Sequence, residues 1–154
     1  MNLGFLYTET LRGSFHPLDE PILERPMQLC VNVRIKKVSD FLKDRIGALD
    51  GRLTMEGLAD DVPVSGTIAF RWLEQYRLPY ELTFRSNDGA SYRLRGQRNL
   101  NLLALQDSVT TLVSSVYDAT GREVMRADLR FDARADMGKL LRSVRLTYVS
   151  GAVA

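Results

Sequence analysis

Glu9 is the residue of this sequence that is best placed to do chemistry. It belongs to an alternating run in which every second residue is otherwise apolar, so a single strand places Glu9 on an apolar face. The run consists of Leu3, Phe5, Tyr7, Glu9 and Leu11. A buried carboxylate without a partner costs several kcal/mol or takes up a proton, so Glu9 must pair with another group. Two interpretations stay open: Glu9 binds a ligand hydroxyl or acts as an acid or base, or it forms a structural pair with an arginine or with backbone amides.

Four other side chains are predicted to share a ligand site with Glu9. They are Tyr7, Tyr92, Thr111 and Ser115. The two tyrosines follow the apolar parity of their alternating runs. The two hydroxyl residues are predicted to face inward from a later strand, although the apolar Leu112 and Val116 follow the opposite parity there.

Trp72 and Tyr76 are predicted to contribute to an interface. Together with Tyr80 they recur at every fourth position, which is typical of an exposed aromatic stripe that contacts a ligand or a partner chain. The alternative is a connection between strands that packs on the core, because Pro79 prevents a regular helix.

Metal binding has little support in the sequence. His16 is the single histidine and Cys30 the single cysteine, so the chain lacks the clustered nitrogen and sulfur ligands of a zinc site. Asp19, Glu20 and Glu24 are oxygen donors, but they lack the regular spacing of a calcium loop. We therefore expect a solvated acidic surface there, and no metal or cofactor.

Length and charge point to a single domain with no affinity for nucleic acid. The chain has 154 residues, and we predict one domain over residues 1–154. Its 21 basic and 19 acidic residues alternate along the sequence and give a formal charge of +2, so nucleic acid is not an expected partner. No apolar run approaches the roughly 18 residues of a membrane span. The first residues lack the basic segment of a signal peptide, and one cysteine fits a reducing compartment, so we expect a cytoplasmic protein.

Turn signals organise the elements that must position these residues. Ser86–Gly89 and Asp118–Gly121 each join two runs that alternate apolar and polar residues, which predicts antiparallel hairpins. The proline-rich segment Ser14–Pro26 is predicted to be a surface loop, and Asp60–Pro63 a turn between two strands.

The predicted fold is all-β with two short helices. Ser39 is predicted to cap the first helix, and apolar residues at helical spacing predict the second over Met137–Val144. The strands form an antiparallel meander of about eight, closed into a barrel of calycin or lipocalin shape. The interior of such a barrel is filled by side chains or holds one small ligand.

Several stretches of the sequence are similar to motifs of a known type of protein region. Leu6–Gly13 is similar to a Phe-Thr-Glu-Thr-Met-x-Gly stretch, with Thr8, Glu9 and Gly13 at matching positions. The other similar stretches are Val38–Leu42, a glycine-containing strand between Gly51 and Gly66, Leu78–Leu82, and the hairpin from Asp88 to Gly96. With these stretches the chain resembles a β-rich accessory region of bacterial cholesterol-oxidase-like flavoproteins of the glucose-methanol-choline type.

The resemblance implies a free-standing copy of that region. The chain has no Gly-x-Gly-x-x-Gly segment and no Rossmann unit, so no flavin, oxidase activity or catalytic residue is implied. The leading prediction is a non-catalytic barrel that binds a small, largely apolar ligand. One alternative is an interaction or accessory module that binds an oxidoreductase or a second copy of itself. Another is a small isomerase or cyclase whose general base is Glu9.

Overall fold

The structure is a computed structural model that describes residues 2–70, 77–99, 109–132, 139 and 142–149. The described residues form mostly β-strands, together with a short helix, α1 (Val38–Asp44). The strands are β1 (Asn2–Pro17), β2 (Arg25–Ile35), β3 (Ile46–Met55), β4 (Ala59–Ala69), β5 (Arg77–Arg85), β6 (Ser91–Asn99), β7 (Val109–Asp118), β8 (Glu123–Asp132) and β9 (Arg145–Val149).

The sheet closes on itself as an eight-stranded antiparallel barrel. Each strand from β1 to β8 pairs with the next, and β8 pairs back with β1. The predicted all-β barrel is therefore confirmed, while its likeness to calycins or lipocalins stays a prediction. Closure buries the apolar face of the sheet without a second layer, because period-two alternation places the apolar residues of every strand on one side.

β1 is long enough to take two partners along one edge. Residues 12–17 pair with β8, and residues 2–6 pair with β9. Between these two ladders, Ser143 satisfies the backbone of Thr8. The Thr8 N–H donates to Ser143 Oγ at 2.8 Å, and the Ser143 hydroxyl donates to the Thr8 carbonyl oxygen at 3.3 Å.

The two ends of the barrel differ. At the helix end, α1 connects β2 to β3, and at the hairpin end tight turns join β3 to β4, β5 to β6 and β7 to β8. The ring of Phe41 holds α1 against the barrel, with edge-on contacts to Phe5 at 6.5 Å and Phe70 at 5.2 Å between ring centroids. The helix is capped at its C-terminus by Arg45, a residue with φ of 56° whose N–H donates to the Phe41 carbonyl oxygen at 2.7 Å.

The prediction of a loop over Ser14–Pro26 is wrong at both ends. β1 continues to Pro17, β2 already begins at Arg25, and Ser14 lies opposite Pro26 in the ladder between them. Prolines are compatible with this arrangement because they lie at strand ends, where a missing N–H leaves the ladder intact. The loop is thus confined to residues 18–24.

Two further local predictions are wrong. Asp60–Pro63 is not a turn, since β4 begins at Ala59: Val62 and Pro63 pair with β3, and Asp60 and Asp61 lie where the register of this ladder shifts. The turn lies at Gly57, whose φ of 80° suits a residue without a side chain. Ser39 does not cap α1: the N-cap position is Lys37, and no side-chain hydrogen bond caps the helix.

Some predictions fall outside the described residues. The helix over Met137–Val144 lies mostly there, and so do Trp72 and Tyr76. The strand that follows this segment is β9. Within the part of the chain that the structure describes, no helix is long and apolar enough to cross a membrane.

Candidate functional site

Glu9 projects from β1 into the barrel and is only 3 % exposed. The hydroxyl of Tyr80 on β5 donates to Glu9 Oε1 at 2.5 Å, and Nη2 of Arg98 on β6 donates to Oε2 at 3.1 Å. β5 is four strands away from β1 in either direction, so these bonds cross the barrel interior. The structure confirms that Glu9 faces inward and that it pairs with an arginine.

Arg98 is a buried cation near the helix end. Its side chain is 8 % exposed, and its guanidinium carbon lies 5.5 Å from the ring centroids of both Tyr80 and Phe131. These aromatic faces and the Glu9 carboxylate offset part of the lost hydration. The Nε atom of Arg98, however, is buried and has no hydrogen-bond partner among the described residues.

Ser114 brings a second unsatisfied polar atom to the same inner face. It lies on β7 opposite Gly96, and its hydroxyl occupies the space that a Cβ atom on Gly96 would fill. Arg98 lies opposite Leu112, so Ser114 is a diagonal neighbour of Arg98. Ser114 is 2 % exposed, and its Oγ also lacks a hydrogen-bond partner in the described part of the chain.

Two tyrosines complete the group. Burial, and next the charge of Glu9, raise the pKa of Tyr80 well above its usual value of 10.0. The pKa of the half-buried Tyr7 is raised for the same two reasons, while Arg98 opposes the shift. Both phenols are therefore neutral at physiological pH. We call Tyr7, Glu9, Tyr80, Arg98 and Ser114 the interior polar cluster.

The geometry favours a positioning role for Glu9. Each of its carboxylate oxygens already accepts a hydrogen bond, one from Tyr80 and one from Arg98. A general base needs an oxygen within reach of the proton that it removes. Of the groups that still lack partners, Arg98 Nε can only donate a hydrogen bond and the Ser114 hydroxyl can donate or accept, so a ligand acceptor atom suits both.

Thr111 and Ser115 do not belong to the cluster, and the prediction that they face inward is wrong. They lie opposite Arg130 and Arg126, which are exposed on the outer face of β8. The inner face of β7 carries Leu112, Ser114 and Val116 instead. This orientation of β7 buries more apolar surface, because the residues opposite these three on β8 are themselves apolar and buried.

Tyr92 lies at the hairpin end, away from Glu9. It is six residues from Arg98 on β6, which corresponds to about 20 Å along a strand. Its ring stacks on Phe84 at a centroid distance of 5.5 Å. Of the predicted ligand residues, the structure therefore brings together only Tyr7 and Glu9.

Tyr92 lines a groove of about 1040 Å³ at the hairpin end. The groove also includes apolar residues of β4 and β5, and its outer edge carries Arg85, Arg93 and Arg95. Glu81 lies 3.6 Å from Arg93 and 3.8 Å from Arg95, so part of this positive charge is neutralised locally. The groove and the interior polar cluster are thus separate features at opposite ends.

Sequence reasoning missed Tyr80, Arg98 and Ser114 as site residues. Arg98 carried the same signal as Glu9, because it is a charged residue at the inward parity of an alternating strand that includes Leu94 and Gly96. A search for charges on apolar faces would have found both. Ser114 gave no such signal, since β7 carries hydroxyl residues on both faces.

The described residues contain no group of three or more histidine, cysteine or acidic side chains arranged to hold a metal ion. Comparisons of the chain with protein-family models, curated proteins and solved structures found no match. The fold and the site together define an antiparallel barrel with a charged and partly unsatisfied interior. The functional argument therefore rests on the geometry of the interior polar cluster.

Proposed function

We propose that the protein binds a small, largely apolar molecule inside the barrel, with the polar end of that molecule against the interior polar cluster. The observation that carries the proposal is the pair of buried atoms, Arg98 Nε and Ser114 Oγ, without partners in the described residues. Buried polar groups are nearly always hydrogen-bonded, and each unsatisfied one costs about 1–3 kcal/mol. A bound ligand would supply the missing partner.

The surroundings of the cluster suit an apolar ligand body. Leu78 and Phe131 are buried on the inner face near the helix end, and Val33 lies opposite Tyr7. Small-molecule sites are mostly apolar cavities in which a few convergent polar groups fix the orientation of the ligand. An eight-stranded barrel is wide enough for one small ligand.

Native mass spectrometry of the purified protein, before and after extraction with organic solvent, tests the proposal. We expect a bound small molecule that extraction removes and that the extracted protein takes up again. Arg98→Lys keeps a positive charge but removes Nε, so it should weaken uptake. Tyr92→Ala, which alters the groove at the hairpin end, is the control and should not.

Two results together would refute the proposal. One is the absence of any bound mass in protein from several expression hosts. The other is a crystal structure in which ordered water molecules bond Arg98 Nε and Ser114 Oγ and side chains fill the remaining interior.

A further inference from the structure

We infer that the polar end of the ligand is a neutral hydrogen-bond acceptor, best a ketone, aldehyde or ester carbonyl, and not a carboxylate or an amine. This inference rests on the proposed function and specifies the chemistry of the same site. It follows from the charge balance of the interior polar cluster and from the kind of atom that lacks a partner.

The cluster is already electrically balanced. Glu9 carries the negative charge and Arg98 the positive charge, and their atoms approach to 3.1 Å. The Tyr80 hydroxyl donates to the same carboxylate, so Tyr80 adds no charge. A ligand carboxylate would place a second negative charge beside Glu9 in a site removed from water, where an unbalanced charge is strongly disfavoured. A neutral ligand group avoids this penalty.

The unsatisfied Arg98 Nε also excludes an amine. Arg98 Nε carries one N–H and can only donate, so its partner must accept a hydrogen bond. A protonated amine has no lone pair and would be repelled by the guanidinium. A carbonyl oxygen has two lone pairs, one for the Arg98 Nε–H and one for the Ser114 hydroxyl, and the residues Arg98 and Ser114 are diagonal neighbours in the ladder of β6 and β7.

Four probes of equal chain length test the inference: a long-chain methyl ketone and the corresponding alcohol, carboxylic acid and amine. Their affinities are measured by displacement of a neutral fluorescent apolar probe from the extracted protein. We expect the ketone to bind at least about tenfold more tightly than the acid and the amine, the effect of roughly one hydrogen bond to a charged group. The alcohol also has two lone pairs, but its O–H needs an acceptor of its own, so it should fall between them.

Variants locate the effect within the barrel. Ser114→Ala removes a hydroxyl that has no partner in the described structure, so it should weaken ketone binding about tenfold without lowering stability. Ser115→Ala is the matched control, because the same hydroxyl is removed from the adjacent position on the outer face. It should leave ketone binding unchanged.

Glu9→Gln tests whether the negative charge of Glu9 is what disfavours an acidic ligand. It leaves Arg98 as the uncompensated charge of the cluster, so the variant should bind the carboxylic acid at least about tenfold more tightly than the natural protein does. If this variant does not fold, the comparison of the four probes on the natural protein still decides the question.

The outcomes separate this inference from the proposed function. Tighter binding of the acid than of the ketone to the natural protein would overturn the neutral-acceptor inference and leave an interior ligand site. Equal effects of Ser114→Ala and Ser115→Ala would also overturn it. The absence of binding by all four probes would overturn both proposals.

Discussion

Glu9 and Arg98 form an ion pair whose side chains are almost completely removed from water, at 2 % and 8 % exposure. Such a pair loses about as much hydration free energy as it gains from attraction, and apolar residues of similar size often stabilise a protein equally well. The presence of this ion pair is therefore better explained by the groups that it positions than by a contribution to the stability of the fold. Here it fixes the guanidinium with Nε unbonded.

Removing one partner of this ion pair should destabilise the protein far more than removing both. Glu9→Ala leaves Arg98 as a buried charge without its carboxylate, and we expect the free energy of unfolding to fall by about 3 kcal/mol or more. The double variant Glu9→Leu with Arg98→Met removes both charges and should recover most of this loss. Urea unfolding of the three proteins measures the difference. A double variant as unstable as Glu9→Ala would show that the pair itself stabilises the barrel.

The buried phenols should make the protein sensitive to alkaline pH. Burial and the charge of Glu9 hold the pKa of Tyr80 well above 10.0 in the folded state. The unfolded chain releases this proton near pH 10, at about the ordinary tyrosine pKa, so stability should fall as the pH rises above that value. Tyr80→Phe should make the fall shallower. Unfolding free energies at neutral pH and above about pH 10 measure both slopes, and equal slopes would contradict the assignment.

At the residue scale, the sequence predicted the orientation of Glu9 but not its partners. Parity along β1 places Glu9 on the inner face. It carries no information about which residues meet across the interior, because the tilt and stagger of the strands decide that. The contacts of Glu9 with Tyr80 and Arg98 are separated by 71 and 89 residues in sequence, beyond the reach of any local pattern.

At the element scale, predictions were reliable where one face of a strand was clearly apolar. β8 alternates Met125, Ala127, Leu129 and Phe131 with charged residues, and all four are buried as the pattern predicts. β7 has hydroxyl residues at 110, 111, 114 and 115, so its own sequence fits either face. Its orientation is set by the apolar residues of β8 across the ladder, which a pattern within one strand does not contain.

Gly66 in strand β4 and Gly121 in the turn between β7 and β8 should respond differently to substitution. A Cβ atom at Gly66 on β4 would collide with the Glu81 carbonyl oxygen of β5, so Gly66→Ala should force the two strands apart and cost about 3 kcal/mol. Gly121 has φ of 84° with open space around it, so Gly121→Ala should cost only about 1 kcal/mol of backbone strain. Thermal unfolding compares them, and equal losses would contradict the close approach of β4 and β5.

At the scale of the whole molecule, the hairpin signals indicated a barrel but not how it closes. Eight alternating strands predict a sheet that must curl to bury its apolar face. The division of one edge of β1 between β8 and β9 could not be predicted, because the length of β1 was underestimated by the loop prediction over Ser14–Pro26.

The backbone hydrogen bonding of β1 should be locally least stable between its ladder with β8 and its ladder with β9. Thr8 lies between the two ladders, and its N–H donates to the Ser143 hydroxyl at 2.8 Å. Ser143→Ala removes this acceptor, so exchange of the Thr8 amide hydrogen should accelerate by about tenfold while amides of β1 paired with β2 stay unchanged. Amide-resolved hydrogen exchange by NMR measures this. Uniform acceleration across β1 would indicate global destabilisation instead.

The pairing of β1 with β9 has a consequence for how the chain could be rearranged. Asn2 lies directly opposite Val149, so a short peptide could link these two positions. The same molecule could then be opened at the exposed turn around Gly121. Such a circular permutant would begin with β8 and end with β7, yet every strand would keep its neighbours. The barrel would thereby be defined by its cyclic order of strands, independent of which one the ribosome makes first.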